Sequence, residues 1–162
     1  MILLGIDPSL NSTGYGVIKA ENSRLIYINS GIIIHKKKDD LSSKLLNISN
    51  TLKSIASQFS PSIAGIEETF VNSNFQSSLK LGITRGAILL TLAELEIKTF
   101  EFSPNLIKKC VTGQGKATKE QVAFMVKQLL SNIPKDKSFK TEDETDALGV
   151  AIASYSSRSL IK

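Results

Sequence analysis

Apolar and polar positions follow two different rhythms along this chain. Residues 2–7 (ILLGID) are an apolar run closed by an acid and predict a buried strand. Residues 14–20 and 24–34, rich in Ile, Val and Tyr, predict two more strands. Only short turns separate the three, so they are expected to pair as an antiparallel meander. The period then changes to that of a helix. Leu41, Leu45, Ile48, Leu52, Ile55 and Phe59 fall on one face, behind Asp39 or Asp40 as the cap.

Residues 62–67 (SIAGIE) predict a fourth strand, reached through that helix and therefore parallel to its neighbour. Residues 75–95 predict a long helix, apolar on more than one face, and residues 97–102 (IKTFEF) a fifth strand. A short helix near Asn105–Cys110 follows, and Thr118 with Gln121 reads as a capping box opening the next. After a polar loop, 132–142, a last helix containing ALGVAIA is apolar almost all round. The expected fold is α/β: one domain over residues 1–162, with a mixed five-stranded sheet, three antiparallel strands then parallel ones, flanked by helices.

Composition adds limits. The net charge of +5 is compatible with a nucleic-acid partner without requiring one. The single cysteine, Cys110, forbids an intrachain disulfide, and MILLG lacks the basic start and apolar length of a signal peptide. No stretch is long enough to cross a bilayer, so the expectation is a cytoplasmic protein with no membrane association.

Several acids stand where a core is predicted. Asp7 ends an Ile–Leu–Leu strand and Glu67 ends an Ile–Ala–Gly–Ile strand; both lie at the carboxyl ends of strands expected to be parallel, the edge where open α/β sheets place their sites. Asp143 and Asp146 stand three apart at the start of the last helix and share a face. Each also has a plainer reading. Asp7-Pro8 can open a turn, Glu67 can end a strand in solvent, and Thr141 with Glu144 can form a capping box that accounts for the acids nearby. Yet Asp146 opens a segment that must be buried, and a buried acid needs a partner charge or a metal. No histidine or second cysteine accompanies these acids, which disfavours zinc and a Ser–His triad. An all-carboxylate set suits a hard cation such as magnesium, and two such ions serve phosphodiester hydrolysis.

The blocks GIDPSLNSTGYGVI, GIEETF, NSNFQSSLKLGITRGA, TGQGKATKEQV and DETDALGVAIA, in this order and spacing, resemble the RuvC Holliday junction resolvase (crossover junction endodeoxyribonuclease) family over nearly the whole chain. The resemblance implies an RNase H-like fold, a homodimer, and a structure-selective endonuclease that resolves four-way (Holliday) junctions by paired symmetric nicks in DNA recombination and repair. It implies Mg2+, two ions per active site with Mn2+ as a substitute, and a branch-migration motor complex of RuvA- and RuvB-type proteins as partner. By it, Asp7, Glu67, Asp143 and Asp146 are the catalytic, metal-binding carboxylates; Phe70 is an aromatic wedge at the junction, and Lys108 and Lys119 contact DNA near the scissile phosphate. Lys80, Arg85, Lys109 and Lys116 are further basic residues without that support. One departure is Ser9, where the family carries Gly after Asp-Pro.

Rival readings are an actin-like or sugar-kinase ATPase, for which the chain is too short; another RNase H-like nuclease; and a catalytically inactive junction-binding module. The second face of the helix at residues 75–95 is expected to meet its twin in the dimer.

Overall fold

The computed structural model describes residues 1–36, 38–69, 74–139 and 141–157. Three strands come first: β1 (Ile2–Asp7), β2 (Ser12–Glu21) and β3 (Arg24–Ile34), each antiparallel to the one before. Helix α1 (Leu41–Phe59) crosses over to β4 (Ile63–Glu67), which lies parallel to β1. Helix α2 (Phe75–Glu94) leads to β5 (Lys98–Phe102), parallel to β4. Then come α3 (Pro104–Thr112), α4 (Lys119–Leu129), a two-residue strand β6 (Leu130–Ser131) and α5 (Glu142–Ser156).

The sheet therefore has six strands, in the order β5-β4-β1-β2-β3-β6, rather than the expected five. β6 is the difference. It pairs parallel to Leu25 and Ile26 as the chain leaves α4, and two residues are too few to carry an alternating pattern. β1 and β3 have the expected bounds, while β2 extends beyond the expected 14–20 at both ends; at the tight β2–β3 turn Asn22 and Ser23 take positive φ.

Caps follow the chemistry of the chain. Asp40, not Asp39, accepts from Ser43 N and opens α1. Asn74 opens α2 in the same way, and Thr118 with Gln121 forms the expected capping box at α4. At α5 the expected box does not form. Thr141 is the N-cap but makes no capping hydrogen bond, and its hydroxyl is buried without a partner. Glu144 has turned instead into the core, where it accepts from Ser30 and Lys137. A partly buried ammonium partner outweighs a reciprocal bond at an exposed cap.

The two faces of the sheet are covered by different helices. One core joins Leu4, Ile6, Val17, Ala64 and Ile66 to α1 and α2 through Ile48, Leu52, Ile88 and Leu92. The other joins Leu3, Ile18 and Phe102 to α3, α4 and α5 through Ile107, Val122, Val126 and Leu148. Side chains alternate along a strand, so Leu3, Gly5 and Asp7 share the α5 face of β1.

Helix α5 lies against the backbone of the sheet rather than on a layer of side chains. A Cβ at Gly5 would stand 2.0 Å from Ala147 O, one at Gly14 2.2 Å from Asp143 O, and one at Gly65 2.1 Å from the Ser154 hydroxyl. With α3 and α4 covering its other side, this near contact leaves ten residues of α5 buried and makes that helix apolar almost all round. α2 buries only Thr84, Ile88, Thr91 and Leu92, leaving Phe75, Leu79, Ile83 and Leu90 exposed. No helix among the described residues is long and apolar enough to cross a membrane.

Candidate active site

Strand register brings the first two acids together. Gly5 lies opposite Gly65 and Ile6 opposite Ile66 in the parallel β1–β4 pair, so Asp7 and Glu67 come next, side by side at the carboxyl edge. By alternation both share the face of Gly5 and Gly65, the face against which α5 lies. Val150 packs over Gly65, and Asp146, one helical turn earlier, is carried toward Glu67. Asp143 sits over Gly14, which pairs with Asp7 across β1–β2. The four sequence-predicted carboxylates thus come from three segments to one edge.

Their electrostatics record the crowding. Burial, then the charges of Glu67, Asp146 and Asp143, push the Asp7 carboxyl up from 3.8 to about 8, against the pull of Lys119. Burial and Asp146 push Glu67 up from 4.5 to about 7, opposed by Lys119 and Lys108. Asp146 is raised as well, first by burial, with Lys119 opposing and Glu142 and Asp143 adding to the rise. Carboxylates that repel one another in a half-buried site are stabilised by a cation, and an oxygen-only donor set is that of a hard divalent ion. These residues fit such an ion by donor chemistry and charge. Among the described residues no three His, Cys, Asp or Glu side chains are drawn together into a ready cage. Two of the acids have partners of their own: the Ser12 hydroxyl donates to Asp143, and Lys119 Nζ stands 3.7 Å from Asp146.

Lys108 and Lys119 are on the same side of this edge. With Glu67 and Asp146 they line a pocket of ≈ 170 Å³ floored by Ile107 and Val122. Lys119 also bonds Glu142 at 3.0 Å. Phe70, the expected wedge, lies outside the described residues. Ser9, the departure from the family pattern, does not take a positive φ, so it imposes no strain on the turn after Asp7. Of the other basic residues, Arg85 is paired with Glu101.

Two contacts escaped the sequence reading. Ser12 bonds an acid 131 residues away, and no local pattern marks it. Glu142 is the carboxylate nearest Lys119, and in the sequence it fell only within the polar loop 132–142.

A family model described as "Crossover junction endodeoxyribonuclease RuvC" matches residues 3–154. A crossover junction endodeoxyribonuclease RuvC of Rickettsia felis is 43% identical over 151 residues, covering 93% of this chain and 95% of that protein. The one from Rickettsia typhi is 42% identical over 154 residues, covering 95% and 96%. Among solved structures, Thermus thermophilus RuvC in complex with a Holliday junction substrate superposes with a TM-score of 0.89 at 22% identity, over 99% of this chain and 96% of that one. A yeast mitochondrial Holliday junction resolvase gives 0.67 at 17% identity, over 97% and 80%. The structural likenesses show a shared fold, and the extent of the family match together with the identity to the Rickettsia proteins places this chain in the RuvC family of crossover junction endodeoxyribonucleases.

Proposed function

We propose that this chain resolves four-way DNA junctions by paired, symmetric nicks, as a magnesium-dependent endonuclease acting in recombination and repair. The observation that supports this most is the convergence of Asp7, Glu67, Asp143 and Asp146 at one sheet edge beside Lys108 and Lys119. Relatives that carry the junction-endonuclease name along almost the whole chain point to the same chemistry.

In this reading Asp7 and Glu67 would hold the ions from the central strands of the sheet, and Asp143 and Asp146 from α5. Two Mg2+ ions, or Mn2+ in their place, would supply Lewis acidity for an attacking water and charge neutralisation at the leaving oxygen. Lys119 and Lys108 set a positive wall against the scissile phosphate and draw it to the carboxylates, which would otherwise repel it. The raised Asp7 and Glu67 hold protons near neutral pH in the metal-free chain and release them as ions bind.

Two nicks need two such edges. Leu79, Gly82, Ile83, Gly86 and Leu90 follow one another at helical spacing along the outer side of α2. The three apolar residues are exposed, and a Cβ at either glycine would meet open space. A flat apolar stripe of this kind suits close packing against a second copy, and a two-fold dimer presents equivalent sites to opposed strands. This reading takes a branch-migration motor complex of RuvA- and RuvB-type proteins as the partner and the cytoplasm as the compartment.

The test incubates the pure protein with a synthetic four-way junction and with linear duplex, with and without magnesium. Magnesium-dependent nicking confined to the junction is expected. Equal cutting of duplex would make the chain a general RNase H-like nuclease, and binding without cutting an inactive junction-binding module.

A further inference from the structure

Lys19, Lys53, Lys119 and Lys137 each have a carboxylate within 4 Å, while Lys44 and Lys80 belong to the larger set of lysines that make no ion pair among the described residues. Lys44 and Lys80 come from different helices, α1 and α2, yet line one groove of ≈ 340 Å³. The rest of its polar lining is Ser9, Asn11 and Ser77, all able to donate, and no acid lines it. Two like charges converging among hydroxyl and amide donors describe a place for an anion with several oxygens.

Its position says which anion. Ser9 and Asn11 belong to the turn that directly follows Asp7, so the groove adjoins the carboxylate edge. Lys108 and Lys119 flank that edge from α3 and α4, on one face of the sheet; Lys44 and Lys80 flank it from α1 and α2, on the other face. A strand laid across the edge meets positive charge before and after the acids.

We propose that the groove of Ser9, Asn11, Lys44, Ser77 and Lys80 is a second phosphate-binding site, gripping the backbone of a DNA arm on the opposite side of the cut from Lys108 and Lys119. It rests on the nuclease reading of the edge. It also assigns a use to Ser9: a hydroxyl donor where the family's glycine has none.

Each phosphate neutralised by a lysine steepens the dependence of log affinity on log salt by about 0.9. Junction binding is therefore measured across a salt series, in calcium rather than magnesium so that substrate persists, for wild type, Lys44→Gln, Lys80→Gln and the control Lys53→Gln. Lys53 sits on the same helix as Lys44 but is paired with Glu94, outside the groove. The expected result is a slope shallower by about 0.9 in each groove variant and unchanged in the control. Slopes equal to wild type in both groove variants, or a control shifted as much as they are, overturn the proposal. The slope comes from binding alone, so a wild type that binds junctions but never cuts them in magnesium refutes the nuclease reading while the slopes still decide the groove. A wild type that binds no DNA refutes both.

Discussion

Lys137 reaches Glu144 at 2.8 Å, and the Glu144 side chain is only 2% exposed. Ser30 donates to the same carboxylate oxygen at 2.9 Å, and Tyr27 lies 3.1 Å from Ser30. Phe139 meets Tyr27 edge to face, and the Lys137 ammonium stands 5.5 Å from the Phe139 ring. The polar loop before α5 is thereby pinned to the meander, and the turn carrying Asp143 is pinned with it. Replacing Glu144→Ala leaves the partly buried Lys137 uncompensated and should cost about 3–5 kcal/mol in urea denaturation. The double replacement Lys137→Met/Glu144→Leu should recover most of that loss. A single-variant cost below about 0.5 kcal/mol, the size of an ordinary surface change, would show that the pair carries no such burden.

Asp7 is the acid that feels the most neighbours, with Glu67, Asp146 and Asp143 all raising it. Asp7→Asn keeps the shape and removes one negative charge. Nicking should disappear, while junction binding persists or tightens because phosphates meet less repulsion. Gel binding and strand cleavage on the same preparation check both halves. Cleavage retained at ordinary magnesium would remove Asp7 from the ligand set.

The raised acids make the metal-free chain sensitive to pH with a definite sign. Between 3.8 and about 8 the folded Asp7 keeps a proton that the unfolded chain has released. Its contribution is therefore fully present below the ordinary carboxyl value and is lost as pH rises toward the folded one; Glu67 acts likewise between 4.5 and about 7. Thermal melts of metal-free protein should show a midpoint falling from pH 5 to pH 8, and magnesium should restore stability most at the upper end. Asp7→Asn should flatten the profile. A midpoint that rises over this range in wild type would contradict the crowding described.

The outer stripe of α2 can be tested by one charge. Ile83 is 37% exposed between two glycines whose Cβ positions face open space. Ile83→Glu should give monomers in light scattering, with the fold kept and junction resolution lost even where DNA still binds. End-labelled strands should then show single nicks rather than pairs. A dimeric Ile83→Glu would move the proposed interface elsewhere.

Local signals carried much of this fold. The apolar run before Asp7, the Ile–Ala–Gly–Ile run before Glu67 and the capping box at Thr118 each announce their element within a few residues. The edge position of Asp7 and Glu67 was legible because strand ends are local and parallel pairing follows from the α1 crossover. What failed was non-local or too short. β6 has two residues and exists only because β3 is beside it. Thr141 and Glu144 match the spacing of a capping box, but Ser30 and Lys137 compete for Glu144 from positions that sequence does not bring near. Ser12 carries no local signal of its bond to Asp143, because that partner is decided by which helix lies on which strand.

That last choice follows from missing atoms. At Gly5, Gly14 and Gly65 the sheet has no side chain beneath α5, and helix backbone or a short hydroxyl occupies the space. Elsewhere a methyl group can be accommodated by a neighbour turning aside; at Gly5 and Gly14 the neighbour is a main-chain carbonyl that can only retreat by taking the helix along. One added carbon at Gly14 would lift Asp143 directly, and one at Gly5 would lift Ala147, the residue after Asp146. Half of the acid cluster therefore has no independent adjustment relative to the other half. Natural variation or engineering at these glycines would shift the relative placement of the two halves of the cluster.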